Sequence, residues 1–179
     1  AFAAQTRDQE TGTLYALARD LATATDTDSL LTAVSRHVEE IFQGKAAFLL
    51  PEGETLRIRA ASLGLVLDAD ELAVATWAYR HRAMAGRGTD TLPGSRLRYI
   101  PIQSSRGALG VMGVRPPEPD GVITPEQARI LLAFANQTAL ALERAMLAGE
   151  AHRQRLAAEE ERLRNAVLAA VSHDLRTPL

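Results

Sequence analysis

No cysteine occurs anywhere in the 179 residues, so disulfides, thiolate metal ligands, cysteine nucleophiles and sulfur-linked cofactors are excluded. That fits a reducing, cytosolic compartment. Nor does any apolar stretch approach the ~20 residues of a membrane-spanning helix, and the polar start AFAAQTRDQETG lacks the apolar centre of a signal peptide. There is no internal repeat at solenoid periods and no low-complexity tract. An excess of either charge is lacking: the formal net charge of -2 gives no electrostatic reason to expect nucleic acid or an anionic membrane as partner. What is present is 46% hydrophobic residues, enough for one ordinary core with an appended element.

Periodicity divides the chain. Leu14, Leu17 and Leu21 share one helical face up to about Thr23, and TATDTD breaks that helix with cap-forming residues. In DSLLTAVSRHVEEIF, Leu30, Val34, Val38 and Ile41 form the buried stripe, with Arg36, Glu39 and Glu40 opposite. KAAFLL and TLRIRAAS flank a turn at Pro51 to Glu54; the second alternates Leu56, Ile58 and Ala60 against Arg57 and Arg59, as a half-buried strand does. Asp68 or Asp70 can cap a third helix through ELAVATWAYRHR, with Leu72, Ala75 and Tyr79 on one side. AMAGRGTDTLPGSR has no period and reads as a long loop. LRYIPIQ and ALGVMGV, joined by SSRG, predict a second hairpin. The glycines of GALGVMGV allow close strand packing, and no strand-to-helix pattern makes them a dinucleotide site. Thr124, Pro125 and Gln127 then spell a helix start. From there no proline occurs until Pro178, which predicts one long helix or two stacked end to end. Leu131, Phe134, Leu142 and Met146 are expected to bury against the core and a partner copy.

The order helix, helix, hairpin, helix, loop, hairpin, long helix argues for an α+β fold, an antiparallel sheet with helices on one face. From about Gly12 to Gly149 it resembles a GAF domain, which implies that the first and last helices pack together and that the last runs on into an output module. The expected organisation is a GAF-like sensor domain over 1–149, a coiled-coil signalling linker over 150–171, and the start of a phosphoacceptor domain over 172–179.

The terminal SHDLRTPL carries the most specific chemistry. A histidine followed by an acid on a solvent-facing helix turn places an imidazole nucleophile beside a proton acceptor. The eight residues resemble the H-box of sensor histidine kinases. That resemblance implies that His173 attacks the γ-phosphoryl group of ATP, that Asp174 acts as acid or base, and that Thr177 positions water for dephosphorylating the response regulator. GRGTDTLPG with the flanking WAYRH and RYIPI, and LRNAVLAAVSHDLRTPL, resemble the potassium-responsive sensor kinases in particular. The implied parent is a bacterial inner-membrane protein in which this segment is cytoplasmic, makes no direct membrane contact and works as a homodimer. Its cognate response regulator would control potassium uptake. ATP and Mg would belong to the parent's ATP-binding domain; this segment, read as a fragment ending six residues past His173, has no cofactor and no activity alone. Two alternatives stand beside this: a GAF domain that binds a small regulatory molecule, and a dimerisation spacer that binds nothing.

Arg87, Thr89, Asp90 and Arg96 sit among the glycines of the long loop, where backbone amides and guanidinium groups could hold an anion. The other reading is a structural loop closed by Asp90 turn chemistry and arginine pairs. It is not a Walker A loop, because no Gly-Lys-Ser/Thr closes it. The Asn-Lys-Phe-Asp-Glu signature of cyclic-nucleotide GAF domains is missing, as is the cysteine that most bilin-binding relatives use. His37 on a polar helix face, His81 at a helix end and His152 in the linker read as surface or capping residues, with no metal site. Leu156, Leu163 and Ala170 recur seven apart, with Val167 and Val171 beside them. This predicts a thin two-stranded coiled-coil seam, the alternative being a solvated helix laced by EEERLR ion pairs.

Overall fold

A computed structural model describes residues 2–118 and 121–176. The elements are α1 (Phe2–Thr23), α2 (Thr27–Phe42), β1 (Lys45–Glu52), β2 (Thr55–Ala61), α3 (Ala69–His81), β3 (Ala85–Gly86), β4 (Arg98–Ser104), β5 (Gly107–Arg115) and α4 (Pro125–Leu175). The strands form one antiparallel sheet in the order β2-β1-β5-β4-β3. Both predicted hairpins are present. The first turns on Gly53, whose φ of 63° lies in the left-handed region that glycine occupies without steric cost.

The period-two alternation of the central strands gives the sheet two apolar faces. Ala46, Phe48, Ile100, Ile102, Met112 and Val114 pack with Leu17 and Leu21 of α1, Leu31 and Val34 of α2, and Leu131, Phe134 and Leu142 of α4. Ala47, Leu49, Tyr99 and Val111 pack with Ala75 and Ala78 of α3, and with Leu65, Leu67, Ala85 and Leu97 from the loops. The sheet is therefore covered on both faces, where the element order suggested helices on one. α3 has a narrow buried face of small residues, so it lies close on the second face while the loops fill around it. Burying a side chain such as Leu131 or Phe134 contributes about 2–3 kcal/mol.

Two further expectations are corrected. In β2 the register shifts opposite Phe48 and Leu49, and Arg59 is the extra residue. That bulge moves Ala60 to the face of α2 and leaves Leu56 on the face of α3, so the simple alternation of Leu56, Ile58 and Ala60 is broken. Arg59 is freed to pair with Asp28 of α2 at 2.7 Å. Met146 is exposed on this chain and takes no part in the core with Leu142, which leaves only the partner side of its expected burial.

Helix starts follow the sequence closely. Asp26 caps α2 by accepting from Ser29 N at 2.8 Å, and Asp68 caps α3 by accepting from Glu71 N at 2.9 Å. At α4, Thr124 N donates to Gln127 Oε1 and Gln127 N donates to Thr124 Oγ1, a reciprocal capping box. The chain divides into two compact units, Ala1–Glu143 and Arg144–Leu179. Among the described residues no helix is long and apolar enough to cross a membrane.

Candidate functional site

In the first unit, the segment from Arg87 to Leu97 is held by a carboxylate that sequence reading overlooked. Glu71 lies one turn before Ala75 on α3 and is only 4% exposed. It accepts from Tyr99 Oη at 2.9 Å, Ser95 Oγ at 2.7 Å and Arg96 N at 2.8 Å. Arg96 adds Nε to Glu71 at 3.4 Å and Nη2 to Asp68 at 2.7 Å. A buried carboxylate costs several kcal/mol unless it is paired and hydrogen-bonded, and here both oxygens are. Burial and the neighbouring Glu71 charge push the Tyr99 phenol well above its ordinary pKa. Tyr99 therefore stays a donor to Glu71.

The other end of the segment is closed by Thr89, whose hydroxyl lies 2.7 Å from Gly86 O and 2.8 Å from Thr91 O. Arg87 Nε donates to Gly121 O at 3.0 Å, and Arg98 donates to Arg87 O and Gly88 O. Asp90 is exposed; loop closure runs through Glu71, Thr89 and Arg98. The four residues singled out in the loop thus separate. Arg96 is committed to two carboxylates of α3, whereas Arg87 and Thr89 belong to the opposite end. Beneath the segment the sheet face is filled: Leu49, Leu97, Tyr99, Val111, Ala75 and Ala78 are each at most 1% exposed. The Tyr99 ring lies against Gly113, where an added Cβ would come within 2.7 Å of it. A cleft opens at the margin instead, between the α3 N-terminus and residues 92–96, lined by Asp68, Asp70, Val74 and Leu92.

Polar residues on buried faces gave signals that were readable. Glu71 shares a helical stripe with Ala75 and Ala78, and Arg98 alternates with Ile100 and Ile102. His37 is three residues after Val34 and is buried, contrary to its assignment to a polar face. Its Nε2 lies 2.9 Å from Asp20 Oδ2, which also accepts from Arg36 at 3.0 Å, so the pair ties α1 to α2. The hydrogen bond from His37 holds the Asp20 carboxyl below its ordinary pKa. His81 is exposed and stacks on Trp77 with ring centroids 4.1 Å apart, while its Nδ1 donates to Trp77 O. His152 is exposed. Among the described residues no group of three or more His, Cys, Asp or Glu is placed to hold a metal ion.

In the second unit, His173 and Asp174 lie in the last turn of α4. Their side chains are 85% and 88% exposed, and Nδ1 stands 3.9 Å from Asp174 Oδ1. An imidazole so exposed is sterically accessible to a large reactant. Thr177 lies outside the described residues. Leu156, Leu163, Val167 and Val171 are all more than half exposed on this chain.

The family model for the GAF domain matches residues 26–144. The chain is 34% identical over 176 residues, 98% of its length, to the sensor protein KdpD of Escherichia coli (strain K12), and 28% identical over 97% of its length to the sensor protein KdpD of Clostridium acetobutylicum. It spans 20% of the length of each of these curated relatives. Among solved structures, it resembles the native GAF domain of the potassium sensor histidine kinase KdpD from Escherichia coli. The TM-score is 0.68 at 28% identity, covering 78% of this chain and 96% of that one.

Proposed function

Because the chain belongs to the GAF domain family, we propose that it is the sensor and transmitter segment of a KdpD-like sensor histidine kinase. The observation that carries this reading is the reach of the similarity. The GAF model ends at residue 144, whereas the likeness to the Escherichia coli sensor covers 98% of the chain, including nearly all of the helix that bears His173. A GAF domain alone would give no reason for similarity along an exposed helix.

In this reading His173 takes the γ-phosphoryl group of ATP on a ring nitrogen and passes it to a response regulator that controls potassium uptake. Asp174 accepts the imidazole proton or orients the ring, and Thr177 positions the water that hydrolyses the phosphoryl group from the response regulator. ATP, Mg and their binding domain belong to the rest of a membrane-anchored parent. The parent is a homodimer, with this segment on its cytoplasmic side. The filled sheet face beneath residues 87–97 favours a GAF domain that dimerises and transmits over one that encloses a ligand there.

The test is radiolabel transfer. In the full-length protein His173→Gln should abolish phosphorylation, while Thr177→Ala should keep autophosphorylation and lose phosphatase activity. The isolated 179-residue chain should take no label from ATP. Label on that chain unaided, or equal loss of both activities in the Thr177 variant, would contradict these assignments.

A further inference from the structure

Among the described residues, Arg98 is a buried cation with no carboxylate partner. It lies on the face of β4 that carries Ile100 and Ile102, and it is 7% exposed. Its Nε donates to Arg87 O at 3.0 Å and its Nη2 to Gly88 O at 2.6 Å. Both partners are neutral carbonyls. Among the described residues no carboxylate pairs with it, although Arg36, Arg57, Arg59 and Arg96 all have one. Burial pulls its pKa down from the ordinary arginine range, so the site disfavours the positive charge.

Arg87 compounds the imbalance. It is half-buried, it supplies the carbonyl that Arg98 binds, and its own Nε is spent on Gly121 O. A guanidinium carries five N–H donors in a planar fork. Arg98 uses two of them here and Arg87 one. Gly88, at φ 70°, passes so close that a Cβ there would lie 2.5 Å from Arg98 Nη2. At this φ an L side chain would be strained, and the glycine lets the backbone lie close against the guanidinium. Buried charges in proteins are normally paired or bound to an ion, and a guanidinium fork matches the oxygens of a tetrahedral oxyanion.

We infer that Arg87 and Arg98, beside the Gly86–Thr89 backbone, form an oxyanion site whose ligand is inorganic phosphate or a phosphate monoester. Arg96, already neutralised by Asp68 and Glu71, takes no part. The site lies away from the filled sheet face, and it does not depend on the kinase reading, since its test measures binding and not phosphorylation.

The 179-residue chain would be titrated with orthophosphate, and separately with glycerol 3-phosphate, at constant ionic strength against sodium chloride, following heat of binding and melting temperature. A saturable heat and a rise in melting temperature absent with chloride are expected. Tighter binding of the monoester would identify the esterified form as ligand. Arg87→Gln should weaken binding about tenfold or more, the scale of a lost charge-assisted hydrogen bond. Arg98→Lys, which keeps the charge but not the fork, should weaken it with native circular dichroism retained, and Arg96→Gln should leave it unchanged. No saturable binding, or undiminished binding by Arg87→Gln, would overturn the site and leave Arg98 a structural staple; because Arg87 is not buried, its variant decides this even if Arg98→Lys fails to fold.

Discussion

Glu71 shows how one buried polar side chain can organise a long irregular segment. Its two oxygens collect donors from Tyr99, Ser95 and Arg96, and without them the phenol would be buried with no acceptor. Glu71→Ala should lower stability by about 3 kcal/mol in urea unfolding, the cost of removing one partner from a buried, charged network. A loss below about 1 kcal/mol would mean that water replaces the carboxylate. Asp20 gives a pH test of the opposite helix layer. Its carboxyl is held below its ordinary pKa chiefly by His37, so its contribution is complete above the unfolded value near 4 and is lost as pH falls through the lower folded value. Asp20→Asn should therefore flatten the fall of melting temperature below about pH 4. An unchanged acid limb in that variant would show that the link between α1 and α2 carries no proton-linked stability.

At the scale of elements, capping chemistry was the most legible part of the chain. Thr124, Pro125 and Gln127 mark the start of α4, and the structure closes the reciprocal bonds that their spacing requires. Thr124→Ala should cost about 1 kcal/mol, and thermal unfolding at matched concentration would show it as a lowered midpoint; no change would mean that packing of Leu131 and Phe134 alone fixes the helix entry. The apolar stripes of α1 and α2 and both hairpins were legible for the same reason, since each depends on residues near in sequence. What was not legible depends on partners far apart. Nothing local distinguishes which sheet face α3 covers. Nothing in TLRIRAAS announces that Arg59 will bulge toward Asp28, 31 residues earlier. Charge and turn propensity leave Arg87, Thr89, Asp90 and Arg96 open between an anion site and a structural loop closed by Asp90. What fixes Arg96 is Glu71, 25 positions away, while Asp90 stays exposed. His37 was misplaced because polarity was weighed above its position on the Val34 stripe.

For the whole molecule, the proposed transmitter role requires that a change in the GAF domain reach His173. The helix α4 starts at the capping box, contributes Leu131, Phe134 and Leu142 to the core, and runs as α-helix to Leu175. Its later apolar residues, Leu156, Leu163, Val167 and Val171, have no cover on this chain, as a seam awaiting a second copy would require. If two such helices pair, the facing stripe repeats about every seven residues, and each residue inserted turns everything beyond it by about 100°. Seven residues inserted between Ala151 and Ala158 then return His173 close to its original face, whereas four leave it turned by roughly 40° from a whole revolution and shift the seam from its register. Phosphorylation of His173 in the full-length protein should accordingly survive a seven-residue insertion and fall, or lose its response to stimulus, with three or four. Equal output from the four-residue and seven-residue insertions would mean that the segment tethers the two units without transmitting rotation, and the dimerisation-spacer reading would then describe it better.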